Sequence, residues 1–376
     1  MKTNNIVIGL GFGDEGKGLV VDNLSTDKSL VVRFSGGQQC GHTVIRNGIK
    51  HVFSNFGSGT LQGCPTFFTE DTSIYLNTIF NEKAVLEKKG VSPVLYVHPH
   101  TKITTPYDVI ANRANTTNGS CGLGIGTTMM RHNSSPYKLY AVDLFAPANF
   151  LRKKLDTIYS YYYKTITDFS ALLELSDELD RFNENLEKPR PFELKNFYRD
   201  LYPHYNNIVF EGSQGVLLDA EHGLFPNVTY ANTTSRNAWK YIKDVDFTTV
   251  FGVTRCYQTR HGTGWMSNNT FHAHDPSEKY QDIPLINNQE EINCYNTYQS
   301  HFRIGEIDYS LLNHAIRVEQ SHQPYDRYNI PINNLVVTCI DQRPYFQFDY
   351  SKISAPIHTI FENNSPHSGN MNLYEL

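Results

Sequence analysis

Four times the 376-residue chain runs a short apolar stretch into a glycine-rich or polar loop: NNIVIGLGFG at 4–13, SLVVRFSGG at 29–37, NNIVFEGSQG at 206–215 and NNLVVTCID at 333–341. A strand that is apolar on both faces needs cover on both, which antiparallel meanders rarely supply and flanking helices do. These stretches read as buried strands of an α/β fold with a large, mainly parallel central sheet, flanking helices and loop insertions. Ligands of such sheets bind outside the strand carboxyl ends, so the loops carry the functional information. After the first loop, GKGLVVDNLS continues as a helix with Lys17 near its start. Residues 146–205 are charged and aromatic with apolar residues every three to four positions, which predicts a peripheral helical segment. Residues 265–301 and the tail ENNSPHSGNMNLYEL read as surface loops. With no internal repeat and no marked linker, 1–376 is expected to form a single domain.

Charge and composition narrow the partners. A formal net charge of -5 offers no broad basic surface for nucleic acid, so a bound phosphate must be held by a local site. Cys40, Cys64, Cys121, Cys256, Cys294 and Cys339 are dispersed with no CxxC pair, which favours reduced thiols over a disulfide frame or zinc site. Neither a targeting segment nor a run of about eighteen apolar residues is present, so the expected location is cytoplasmic, without a membrane partner.

The loop GFGDEGKG poses a chemical question. Glycines and a lysine suit a phosphate cradle, but Asp14 and Glu15 beside them would repel phosphate unless a metal or a proton transfer employs them. A second loop, SGGQQCGHTVI, sets His42 just past a strand. An isolated histidine has no special meaning, whereas GDEGKG and GGQQCGHT together are a long ordered pattern. With FEGSQGVLLDAEHGLFPNVTYANTT, VTRCYQTRHGTG, FRIGEID and VTCID, the chain resembles the adenylosuccinate synthetase family over most of its length.

That resemblance implies a magnesium-dependent ligase that joins L-aspartate to a 6-oxopurine nucleoside monophosphate, with a nucleoside triphosphate first phosphorylating the 6-oxygen. Asp14 would be the general base and a magnesium ligand, with the Gly41 carbonyl as a second ligand. His42 would stabilise or protonate charge around the transferred phosphoryl group. Gly13, Gly16, Lys17 and Gly18 would cradle the triphosphate, with Thr43 and Asp341 also on the nucleotide. Gln214 would approach the purine ring, while Gln39, Ser120, Cys121, Gly122 and Thr229 would hold the purine monophosphate. Arg303 would grip the aspartate carboxylate. Glu15 receives no catalytic role; it reads as a solvated or loop-capping acid.

Departures from the family bear on the substrate. Cys121 and Leu123 stand where the family has threonine and arginine, and Gln39 and Cys40 where it has asparagine and alanine. The last strand ends Thr338-Cys339-Ile340-Asp341 in place of TKxD, losing the lysine that packs on guanine, and little follows Asp341. These features favour ATP over GTP and fit the phage 2-aminoadenylosuccinate synthetase branch, which takes dGMP; many of its members replace the catalytic aspartate, however, and Asp14 is retained. IMP with GTP is the alternative. A homodimer is implied, with Arg131 as a candidate for the arginine lent across the interface. A non-catalytic nucleotide-binding regulator would leave His42, Gln214 and Arg303 without use. An NAD site is the weakest reading, because the acids inside the glycine pattern are misplaced for a pyrophosphate turn.

Overall fold

The first strand lies near the middle of a ten-stranded sheet in the computed structural model, which describes residues 1–114, 120–262, 264–267, 283–286, 298–299, 302–325, 330–369 and 371–374. Its strands are β1 (Thr3–Gly9), β2 (Ser29–Arg33), β3 (Thr66–Phe68), β4 (Leu95–Val97), β5 (Glu193–Leu194), β6 (Asn207–Glu211), β7 (Phe247–Arg255), β8 (Ile332–Thr338), β9 (Thr359–Asn363) and β10 (Met371–Tyr374). They lie side by side in the order β10-β9-β8-β7-β1-β6-β2-β3-β4-β5. Every neighbouring pair is parallel except β9 with β10. The four strands read from the sequence are β1, β2, β6 and β8. The other six were not read from the sequence: β3, β4 and β5 have only two or three residues each, β7 (FTTVFGVTR) mixes threonines among its apolar residues, and β9 and β10 pair antiparallel where the tail was expected to form only surface loops.

Alternation along β1 shows why its stretch is apolar throughout. Ile6 and Ile8 join one core with Ile208, Phe210, Val250, Leu335 and with Leu312, Ala315 and Ile316 of the helix Tyr309–Ser321. Val7 points to the other face, where Val209, Phe251 and Val336 pack with Val20 and Val21 of α1 (Lys17–Leu24). Fully burying each such side chain contributes about 1.5–3 kcal/mol, so a polar residue at any of these positions would disrupt the layer it faces.

Along the chain α2 (Leu76–Lys88), α3 (Pro106–Ala114) and α4 (Ile125–Ser134) precede α5 (Ala148–Tyr162) and α6 (Phe169–Glu187), the two α-helices within 146–205. The side chain of Asp168 caps α6 by accepting from the amides of Ser170 and Ala171. Leu151, Ile158, Leu175 and Phe182 bury against Leu76, Ile79, Val109 and Ile110 in a separate core. Five cysteines, Cys40, Cys64, Cys121, Cys256 and Cys339, are free thiols; Cys294 and most of 265–301 lie outside the described residues. Among those residues, no helix is long and apolar enough to cross a membrane.

Candidate active site

The loops at the carboxyl ends of β1, β2, β6, β7 and β8 meet around one cleft of about 1110 Å³. Its floor is built by close backbone approach. Gly13 and Gly16 have φ of 95° and 96°, and Asp14 between them sits at φ 61°, so the turn uses the left-handed region, where side chains are disfavoured. Gln214 and Cys339, on two other cleft loops, share that conformation at φ 56° and 61°. A Cβ on Gly215 would lie 2.2 Å from the Gly11 carbonyl oxygen, so the β6 loop can rest on the β1 loop only with glycine there.

Glu15 is buried inside the first loop. Its carboxylate accepts from the amides of Gly11 at 3.0 Å and Gly13 at 2.8 Å, and from Lys17 Nζ at 2.6 Å. Of the two expected readings, the loop cap is the one observed. Lys17 also donates to the Gln214 carbonyl, so one ammonium joins the β1 and β6 loops.

Asp14 lies at the cleft wall, with His261 Nε2 3.2 Å from its Oδ2 and Arg255 donating to its backbone carbonyl. Burial alone would raise the Asp14 carboxyl. The hydrogen bond and charge of His261, with Arg255 and Lys17 nearby, outweigh that and hold it below the usual carboxylate value. An ionised carboxylate in the cleft can accept a proton.

His42 begins the hairpin His42–Arg46/Ile49–Phe53, and a Cβ on Gly18 would come within 2.8 Å of its own Cβ, so α1 packs directly on it. Its Nδ1 meets Glu211 Oε1 at 2.5 Å. Glu211, the last residue of β6, also accepts from the Ser58 amide at 3.0 Å and from the Ser58 hydroxyl. Burial opposes ionisation of Glu211, but His42, Arg33 and the Ser58 hydroxyl reverse it and hold the acid at about 2. The same burial lowers His42 despite its anionic partner. A neutral imidazole donating Nδ1–H to Glu211 keeps Nε2 for the cleft.

Fourteen of the sixteen expected site residues line this cleft: Gly13, Asp14, Gly16, Lys17 and Gly18 from the first loop, Gln39, Gly41, His42 and Thr43 from the second, and Ser120, Cys121, Gln214, Thr229 and Asp341 from later loops. Gln38 Nε2 donates to the Leu123 carbonyl at 3.0 Å and ties the second loop to the 120–124 segment. Both amide atoms of Gln39, and Gln214 Oε1, are buried without a hydrogen-bond partner, the mark of groups awaiting a polar ligand.

Two expected residues lie elsewhere. Gly122 is buried behind Cys121, with its carbonyl accepting from Arg113 Nε at 3.0 Å. Arg303 does not line the cleft: it is 2% exposed and donates to the Gly264 carbonyl. Arg303 belongs to the antiparallel hairpin Gln258–His261/Phe302–Gly305, and the arginine of that hairpin on the cleft is Arg260, which pairs with Arg303 across the strands and packs 4.3 Å over the Phe12 ring. Burial depresses both guanidiniums to about 10, and for Arg260 the charge of Arg303 adds to it. Arg131 is corrected as well: it is fully buried, clamps Asp108 through Nε at 2.9 Å and Nη2 at 2.8 Å, and donates to the Ile103 and Tyr137 carbonyls. Such an arginine cannot reach another subunit. Sequence reasoning missed Glu211, Arg255, Arg260 and His261, although all four stand inside the motif blocks that carried the resemblance.

A glycine loop with a lysine at a helix start, set at the carboxyl end of a central parallel strand with a carboxylate and a histidine facing the same cleft, defines an α/β nucleotide-phosphate site. Comparison with known proteins specifies it: the adenylosuccinate synthetase family model matches residues 6–324, and the chain belongs to that family. Adenylosuccinate synthetase of Thioalkalivibrio sulfidiphilus is 33% identical over 287 residues, 71% of this chain and 65% of that protein. The Burkholderia thailandensis enzyme is 29% identical over 335 residues, 84% of this chain and 73% of its own. The matched chain thus spans just under two thirds of the Thioalkalivibrio relative. Two solved structures share the fold. Fully ligated adenylosuccinate synthetase of Plasmodium falciparum has a TM-score of 0.71 at 17% identity, covering 99% of both chains. Succinoaminodeoxyadenylate synthetase of cyanophage S-2L, bound to dGMP and to dATP as energy donor, has a TM-score of 0.67 at 13% identity, covering 99% of this chain and 95% of that one.

Proposed function

We infer that this chain ligates L-aspartate to C6 of a 6-oxopurine nucleoside monophosphate through a 6-phosphoryl intermediate. The observation that carries this is the meeting of Asp14, His42, Lys17 and Gln214, from loops up to two hundred residues apart, on one cleft with orphaned amide groups. Asp14 takes the N1 proton of the purine, so that the 6-oxygen becomes the nucleophile for the terminal phosphoryl group of the triphosphate. Lys17 and the glycine-loop amides hold the triphosphate chain, and His42, oriented by Glu211, faces the charge that develops on the transferred group. The amine of aspartate then attacks C6, and phosphate departs with the former 6-oxygen.

The Asp14 carboxylate and Gly41 carbonyl are hard oxygen donors of the kind Mg2+ prefers, and they are the residues that would hold it. Bound there, the ion would neutralise phosphate charge and so offset the repulsion from Asp14. Arg260 and Arg255 are the cationic groups on the cleft that suit a dicarboxylate, in place of Arg303.

For the purine and the donor, we favour dGMP with ATP. Supporting it are the loss of the guanine-packing lysine at Cys339 and the substitutions Gln39, Cys40 and Cys121. The dGMP-bound cyanophage enzyme has the same fold. IMP with GTP is favoured instead by the retained Asp14 and by the bacterial relatives, which are named adenylosuccinate synthetases. The deciding experiment offers purified protein Mg2+ and aspartate with IMP or dGMP, each with ATP or GTP, and identifies product by mass. Turnover of dGMP with ATP supports the favoured pair; turnover of IMP alone overturns it. No turnover in any combination overturns the ligase reading. Asp14→Ala is expected to abolish turnover while leaving metal-free nucleotide binding within a few fold; retained turnover would remove Asp14 from the mechanism.

A further inference from the structure

A second group of chemically capable side chains stands at the same edge of the sheet but outside the cleft. Strands β3 and β4 are parallel neighbours with Phe68 opposite Val97, so the residues that follow them emerge together. Glu70 follows the end of β3 by two residues, and His98 immediately follows β4, its amide donating to the Phe68 carbonyl at 2.9 Å. His100 comes two residues later. One ligand atom from each of Glu70, His98 and His100 lies within 4.8 Å of the other two. Neither Glu70, His98 nor His100 lines the cleft, and the functional reading above uses none of them.

We propose that Glu70, His98 and His100 form a binding site for a borderline transition-metal ion of the Zn2+, Co2+ or Ni2+ kind. Two imidazoles and one carboxylate are the donor set such ions select, and one that Mg2+ does not. The backbone beneath the site is fixed. Thr101 is fully buried, its amide donates to the His98 carbonyl at 2.9 Å, and its hydroxyl donates to the carbonyls of Phe68 at 3.2 Å and Thr69 at 3.0 Å. Pro99 stiffens the turn between the histidines. The His98 ring stands beside the carboxylate: its Nδ1 lies 3.9 Å from Glu70 Oε2 and accepts the His100 amide at 3.2 Å, a bond that a metal ion at that nitrogen would replace. His100 packs against the Tyr140 ring at 5.5 Å.

Metal bonds of about 2.0–2.2 Å set ligand atoms roughly 3.3 Å apart in a tetrahedral site. Closing the present spacing requires side-chain rotation of Glu70 and His100, both exposed and free to make it. The surrounding charge does not forbid a cation. Lys102 Nζ is held on the Glu70 carbonyl at 2.8 Å, and Asp71 is paired with Lys240 at 2.8 Å. The remaining coordination positions open to solvent, which makes this a clip across the β3 and β4 loops.

The test uses the full chain freed of metal by chelation and titrated with Co2+, read by visible absorption, and with Zn2+, read by calorimetry. One saturable equivalent is expected, with affinity falling roughly tenfold or more in His100→Ala and in Glu70→Gln. Both changes are at exposed positions, so the metal-free melting temperature should stay within a degree or two of the parent. Zn2+ should raise the parent melting temperature and leave that of His100→Ala unmoved. Asp14→Asn should bind Co2+ as the parent does, which separates this site from the cleft and from the ligase reading. Absence of saturable binding, or unchanged affinity in both the Glu70 and His100 variants, overturns the proposal.

Discussion

Glu211, the last residue of β6, and Glu319, on the helix Tyr309–Ser321, are both buried acids, yet their surroundings drive them in opposite directions. Glu211 meets His42, Ser58 and the charge of Arg33, and stays ionised down to about pH 2. Glu319 accepts the Ser235 amide at 2.8 Å, its other oxygen is buried without a partner, and Asp219 adds a like charge. Burial, which comes first among its influences, pushes it up to about 7. What decides the state of a buried acid here is whether a cation shares the site.

The largest way to break the comparison is Glu211→Ala. It strands Arg33 and His42 without their anion, and the expected cost is about 3–5 kcal/mol in chemical denaturation, with turnover lost because His42 is no longer oriented. An unaltered unfolding midpoint would show that the pair contributes no net stability.

Titration separates the two acids by sign. Glu211 has a depressed folded value, so its stabilisation, about 3 kcal/mol, is present above an unfolded value near 4.5 and disappears as pH falls toward about 2. Glu319 has a raised folded value, so stability is full below about 4.5 and declines as pH rises through about 7, by a similar amount. Glu319→Gln is therefore expected to stabilise the protein at pH 8 by up to about 3 kcal/mol and to change little at pH 4. An equal effect at both pH values would mean that the charge of Glu319 is not what burial penalises. The smallest effect sharpens the Glu211 side alone: Ser58→Ala removes one charge-assisted hydroxyl bond, and roughly 1–3 kcal/mol of stability should go with it.

Much of the cleft could be read from the chain because glycine and apolar runs are demanded locally. A loop at φ near 95° needs glycine, and a strand covered on both faces needs unbroken apolar residues; both leave their trace within a dozen positions. Partnerships made across the sheet leave no such trace. His261 reaches Asp14 because β7 lies beside β1, an adjacency of elements nearly 250 residues apart that no local pattern encodes. Glu211 sat in plain view inside FEGSQG, but only the β6–β2 pairing brings it under His42. Arg303 was misplaced because its motif gave the residue type without the depth at which the hairpin buries it.

The carboxylate of Glu15 has a consequence for how the first loop meets a nucleotide. It acts as a tethered competitor: the Gly11 and Gly13 amides and the Lys17 ammonium are already serving an anion that belongs to the loop itself. A free phosphate must outbid a group whose effective concentration is set by a few bonds of chain, at least on the order of millimolar. The triphosphate proposed above would do so by engaging several cleft loops at once. Admission of a phosphate at this loop therefore entails moving the Lys17 ammonium from an internal partner to an external one.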